Sequence, residues 1–168
     1  MTALATFHSP VGPLAVEVTD AGVCGVEFHG GGRARPSITR AEREHLDAAL
    51  AWLAAYFRGD EGVTPALDLA VGSDFDRRVW GALLRIPFGR TVSYGELAQQ
   101  LGVPGCARAV GTANGRNRVP IIVPCHRVVA ANGGLGGYGG GLEKKRWLLA
   151  HEAAHAPFAL SGGARRGP

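Results

Sequence analysis

The spacing of apolar residues changes period once along this chain, from two to about 3.6, and that change sets the order of its elements. Leu4 to Phe7, Leu14–Val18 and Val23 to Phe28 are short runs of strand character, split by the turns Ser9-Pro10-Val11-Gly12 and Thr19-Asp20-Ala21-Gly22. They predict a three-strand meander. Gly30 to Pro36 reads as a loop, and from there the period is helical. Thr39 and Glu42 form a capping box ahead of Leu46, Leu50, Leu53 and Phe57, one helix face that Gly59 can end. The first 72 residues therefore predict a small sheet with one helix.

Residues 59–72 are rich in turn formers, and the boundary is placed there: an α/β domain over 1–72, a mainly helical one over 73–155, and a flexible tail over 156–168. Ser73 caps a helix carrying Phe75, Val79 and Leu83, stopped by Pro87-Phe88-Gly89. Ser93 and Glu96 make a second capping box, opening a short helix that ends near Gly102. After Val103-Pro104-Gly105 another helix is expected from about Cys106 to Asn114, with Arg108, Arg116 and Arg118 on or just after it. Two short helices joined this way suggest a helix-turn-helix. Ile121–Val123 is a short buried run before Pro124 and Cys125. Seven of the 11 residues from Ala131 to Gly141 are glycine, so that loop can approach a ligand closely. A last helix is expected from Leu142 to Glu152, with Trp147 and Leu148 on its apolar side and Lys144, Lys145 and Arg146 as a basic centre. From Ala153 the chain reads as frayed.

Charge divides along the same boundary. Up to Gly72 five basic residues face nine acidic ones, a net of −4; from Ser73 onward 13 face five, a net of +8. The second half should face an anionic partner. With 168 residues, 46% apolar and 19% charged, the chain can bury a core. It has no stretch of roughly 18 apolar residues and no signal-peptide pattern at its start, so neither secretion nor a membrane is expected. Cys24, Cys106 and Cys125 are an odd set without a C-x-x-C pair, which argues against a disulfide framework and for a reducing, cytoplasmic interior.

A nucleophilic thiol needs a base or a positive field, and Cys125-His126-Arg127 places candidates for both beside one sulfur. On a regular strand neighbours point to opposite faces, so contact between Cys125 and His126 requires a bend or a bridging water. A carboxylate should orient the imidazole, and Glu143 and Glu152 both follow. The competing reading, from composition alone, is a buried inert thiol.

Val123-Pro-Cys-His-Arg-Val-Val129 resembles the active-site signature of the O6-alkylguanine-DNA alkyltransferases, DNA repair proteins that accept an alkyl group irreversibly on a cysteine. The likeness runs from Phe75 to Glu152 through Arg90-Thr-Val-Ser-Tyr-Gly-Glu-Leu-Ala98, Ala107-Arg-Ala-Val-Gly111, Asn114-Gly-Arg-Asn117, Gly137-Tyr138 and Trp147-Leu-Leu-Ala-His-Glu152. It is weaker in the first half, through Ser9-Pro10-Val11-Gly12. The resemblance implies a ribonuclease-like α/β domain followed by a helical, winged-helix-like domain that enters the minor groove. It implies Cys125 as acceptor, His126 as its water-linked base and Glu152, rather than Glu143, as the orienting carboxylate. By the same likeness Asn117 braces the active-site turn and Tyr94 donates a proton toward the departing guanine. Arg108 fills the gap left by the extruded base. Ala107, Ala109, Gly111, Thr112 and Asn114 are carried over as DNA contacts, and Tyr138, Val128, Gly139 and Pro120 as the substrate pocket.

The partner so implied is duplex DNA containing O6-alkylguanine, with O4-alkylthymine a further candidate, met by a monomer without cofactor in one irreversible turnover. Arg118 departs from the proline many relatives carry after the asparagine, and Gly139 from a serine. Some relatives bind zinc, but His8, Cys24, His29 and His45 show no ligand spacing, and no metal is expected. Cys125 separates the chain from alkyltransferase-like proteins that lack the acceptor. A Cys-His hydrolase and a non-catalytic helix-turn-helix regulator are the other classes considered.

Overall fold

The computed structural model describes residues 2–30, 32 and 38–157. β1 (Ala3–Ser9), β2 (Gly12–Thr19) and β3 (Gly22–Phe28) form an antiparallel sheet in chain order, with Phe7 opposite Leu14 and Val16 opposite Val26. α1 (Arg40–Phe57) packs on this sheet. Its capping box is formed as expected, Thr39 accepting from the Glu42 amide and the Glu42 carboxylate from the Thr39 amide. The buried face is Leu46, Ala49, Trp52, Leu53 and Tyr56, whereas Leu50 and Phe57 are only half-buried. The apolar stripe is thus rotated from the one expected, because Trp52 and Tyr56 offer more apolar area than Leu50 and Phe57 can hide.

α2 (Asp74–Leu83) opens on Ser73 with its own capping box to Asp76. β4 (Val92–Ser93) leads directly into α3 (Tyr94–Gln100), also boxed, by Ser93 and Glu96. α4 (Ala107–Gly115) packs against α2 and α3. A single 3₁₀ turn, Cys125–Arg127, precedes β5 (Val128–Val129), and α5 (Leu142–His155) ends the described chain. β4 and β5 pair in parallel, Val92 with Val128 and Ser93 with Val129. This two-residue ladder, too short to read from sequence, sets the start of α3 beside the Cys125 turn.

The halves share one apolar core that runs from Ala3 to Ala156. Their backbones also join, since the Val26 amide of β3 donates to the Arg118 carbonyl at 2.8 Å. The chain end differs from the expected fraying. Ala153, Ala154 and His155 continue α5, His155 Nδ1 donates to the His151 carbonyl at 2.8 Å, and Ala156 is buried. His151 stacks on Trp147 and meets the ring of His155 at a tilt, and buried Ala156 carries the packing past Glu152. Most of the expected tail, and most of the loop at 30–36, lie outside the described residues. Among the described residues, no helix is long and apolar enough to cross a membrane.

Candidate active site

The segment before Cys125 is folded around two asparagine amides. Asn117 accepts from the Val119 amide at 3.0 Å and donates to the Val123 carbonyl at 2.9 Å, while Asn114 donates to the Cys125 carbonyl at 3.3 Å. Between them Ile121 is held at φ +74°, a conformation unfavourable for a β-branched residue and sustained here by complete burial. The chain then enters the 3₁₀ turn. The bend that a Cys125–His126 pair requires is therefore present, and Asn117 is where the turn needs it.

Asn114, expected as a DNA contact, is buried on the inner side of α4, one turn after Val110, and lines the cleft that Cys125 shares rather than the outer face of the helix. Arg108, Ala109 and Thr112 lie on the exposed side, and Ala107 and Gly111 are half-buried. Val128 is a correction: it is fully buried and packs in the apolar core, not among the residues that line the cleft.

Behind Cys125 lies a buried polar network. His126 Nε2 stands 2.6 Å from Glu152 Oε1, and Arg127 grips the same carboxylate through Nε, 3.0 Å from Oε2, and Nη2, 3.0 Å from Oε1. Arg127 also donates to the Ile86 carbonyl at 2.6 Å and to Glu61 at 3.1 Å. The Gly89 amide donates to Glu152 Oε2 at 3.1 Å, and the Tyr56 hydroxyl to Oε1 at 2.8 Å. Gly89 has to be glycine: its φ is +80°, and a Cβ there would meet the Ala156 Cβ at 2.3 Å. His126, Arg127 and Glu152 are all essentially inaccessible.

Three neighbours of the Cys–His–Glu set take parts that the sequence does not show. Arg127, a candidate for the positive field beside the sulfur, is turned to Glu152 and Glu61, and Lys145, from the basic centre of the last helix, is buried and bonded internally. Lys145 donates to the carbonyls of Val128 at 2.7 Å and Gly137 at 3.1 Å, tying the glycine-rich loop to the active-site strand. Tyr56, in the first half, carried no motif at all.

Charge states follow from burial. Burial pushes the Cys125 thiol up to about 11, against the smaller opposing effects of the Asn117 hydrogen bond and the Lys145 charge. Burial also lowers His126, despite Glu152, so its imidazole is neutral near pH 7. For Glu152 burial acts upward, but the hydrogen bonds and charges of His126 and Arg127 outweigh it and hold the carboxyl at about 2. The resting set is thus a thiol, a neutral imidazole and a carboxylate. With Nε2–H donated to Glu152, the basic lone pair of His126 is on Nδ1, which is buried and has no protein hydrogen-bond partner among the described residues.

Cys125 forms part of a cleft of about 670 Å³. Tyr94, Pro120, Tyr138 and Gly139 line it from the second half, and residues 25–29, the end of β3 and the residue after it, from the first. Burial and the nearby Cys125 raise both Tyr94 and Tyr138, which keeps their hydroxyls protonated. Gly136 lets the loop close over Tyr94, since a Cβ there would stand 2.9 Å from the tyrosine oxygen. Tyr138 packs edge-on against Phe28 with ring centroids 5.8 Å apart. Among the described residues, no three His, Cys, Asp or Glu side chains gather as a metal set.

Residues 74–154 match the family described as 6-O-methylguanine DNA methyltransferase, DNA binding domain. A methylated-DNA–protein-cysteine methyltransferase of Mycobacterium tuberculosis (strain ATCC 25618 / H37Rv) is 43% identical over 170 residues, covering 93% of this chain and 95% of the relative. One of Mycolicibacterium paratuberculosis is 56% identical over 114 residues, 67% of this chain and 68% of its own. Among solved structures, Mycobacterium tuberculosis OGT in complex with DNA superposes with a TM-score of 0.77 at 43% identity, covering 93% of this chain and 96% of that one. Near-complete coverage at this identity, with a free cysteine in the matched region, shows that the chain belongs to the methylated-DNA–protein-cysteine methyltransferase family.

Proposed function

We propose that this protein repairs duplex DNA by moving the alkyl group of O6-alkylguanine onto Cys125, once per molecule, with O4-alkylthymine as a second substrate. The observation that carries the reading is Cys125 at a cleft, followed by an imidazole hydrogen-bonded to a buried carboxylate. His126 Nδ1 takes the thiol proton through a water. The sulfur attacks the alkyl carbon, a C–S bond forms as the C–O6 bond breaks, and Tyr94 donates a hydrogen bond or proton to the departing guanine. A thiol near 11 lies about four units above neutral pH, so the thiolate costs roughly 5 kcal/mol without help, and His126 supplies that help. Water does not hydrolyse the product thioether, so the protein is consumed.

In this reading residues 73–155 form the DNA-binding and acceptor domain and 1–72 an α/β domain packed behind it. The protein works as a monomer in a reducing compartment. α3 and α4 act as a helix-turn-helix in the minor groove, with the exposed face of α4 toward the DNA. The target base leaves the stack and enters the cleft, at a cost of a few kcal/mol that Arg108 offsets by filling the gap. The direct test is intact and peptide mass after incubation with excess O6-methylguanine duplex. One methyl on the Cys125 peptide is expected; many turnovers, or methyl on Cys24 or Cys106, would refute the assignment.

Arg108 has its own test. Arg108→Ala should slow repair of duplex DNA by one to a few powers of ten, about 1.4 kcal/mol for each, and hardly change reaction with free O6-benzylguanine, which has no stack to leave. Equal losses on both substrates would remove the gap-filling role. A plain phosphate contact would instead weaken damaged and undamaged DNA alike and reduce the salt slope by about one unit.

A further inference from the structure

Glu152 Oε1, the oxygen that orients His126, accepts from three side chains, and one of them comes from the first half of the chain. The Tyr56 hydroxyl reaches it at 2.8 Å and lies 3.5 Å from His126 Nε2. Tyr56 is completely buried and held at both ends. Its carbonyl accepts from His151 Nε2 at 2.8 Å, one residue before Glu152, and its ring stacks on Trp52 at 5.3 Å and meets Phe88 edge-on at 5.8 Å. α1 is thereby bonded to α5 at two consecutive residues, the second being the carboxylate behind the proposed base.

We propose that Tyr56 is a positioning residue for alkyl transfer, by which the first domain holds the Glu152 carboxylate and sets how much of its charge reaches His126. The proposal rests on the reading of Cys125 and His126 given above. A hydrogen bond to the charged form of an acid stabilises that form and disperses its charge. With Tyr56 donating, Glu152 is a weaker acceptor for His126, so His126 gains less basicity from it. Burial lowers His126 in the same direction. Among the described residues, the other charged or titratable groups around the pair are Arg127 and Cys125 on the turn, Lys145 and His151 on α5, Tyr138 on the glycine-rich loop, and Glu61 through Arg127. Of these only Arg127 also donates to Oε1.

Tyr56→Phe removes the hydroxyl and keeps the ring. Its single-turnover transfer rate, measured against pH in the full-length protein with O6-benzylguanine, should show an acid limb moved to higher pH. His126 then protonates more readily and stops serving as a base sooner. At a pH on the limb the rate should fall about fivefold to tenfold, the size of one buried hydrogen bond, with the alkaline plateau changed less. A histidine NMR titration of the same variant should show His126 shifted the same way. A fluorinated tyrosine introduced at position 56 is a stronger donor and should move the limb to lower pH; this arm decides if Tyr56→Phe fails to fold. A limb that stays in place, with or without lower thermal stability, would reduce Tyr56 to packing and overturn the proposal. An unmodified protein that transfers nothing would instead sink the function itself.

Discussion

Cys125→Ser is expected to abolish transfer while leaving DNA affinity within a few-fold of the unmodified protein. A serine hydroxyl is a far weaker acid than a thiol and its oxygen a far poorer nucleophile toward an alkyl carbon, and burial has already pushed the thiol to about 11, so the neutral imidazole that serves the sulfur leaves the oxygen unreactive on the timescale of transfer. In the proposed reading DNA binding rests on groups elsewhere: Arg108, Arg116 and Arg118 are exposed, on α4 or just beyond it. Affinity for duplex DNA should therefore fall steeply with salt, at about 0.9 log units per phosphate contact for each log unit of salt, with the same slope in both proteins. Gel-shift or anisotropy titrations at several salt concentrations, paired with mass spectrometry, check both halves. Residual methyl on the serine variant would place the acceptor elsewhere. Salt-independent binding would mean that the +8 of the second half is not a phosphate footprint.

What the sequence showed, and what it hid, follows from the range of the interactions. Ser73, Ser93 and Thr39 cap their helices through residues three positions away, so those starts are legible from a window of four. The same holds for the meander, whose turns lie within it. Asn117 and Cys125 come with a local motif. Tyr56, by contrast, meets Glu152 across 96 residues and Arg127 meets Glu61 across 66, and no periodicity marks either pair. Lys145 shows the limit of counting charges: a lysine between Lys144 and Arg146 reads as surface, until the carbonyls of Val128 on β5 and Gly137 in the glycine-rich loop take it inside.

Glu152→Gln should cost both stability and chemistry, and the two losses can be separated. The amide keeps the shape but leaves the Arg127 guanidinium buried with only Glu61 as a charged partner, a kind of loss worth about 3–5 kcal/mol. For a chain of this size that is a fall in Tm of roughly 10 °C. Transfer should drop by two or more powers of ten, because the imidazole loses the group that fixes its tautomer and stabilises its charged form. The stability loss should depend on pH in one direction. Glu152 is depressed from 4.5 to about 2, so its contribution is complete above the unfolded value near 4.5 and is lost as pH falls through about 2. The gap in Tm between the two proteins should thus be widest above about pH 5 and close toward pH 2. Adding Arg127→Met removes the stranded charge and should recover much of the stability, since replacing both charges of a buried pair by uncharged groups often costs little, whereas removing one of them does not. It should recover none of the transfer. A gap in Tm that is constant with pH would show that the carboxylate is not held as an anion, and transfer restored by the double substitution would show that Glu152 acts through packing alone.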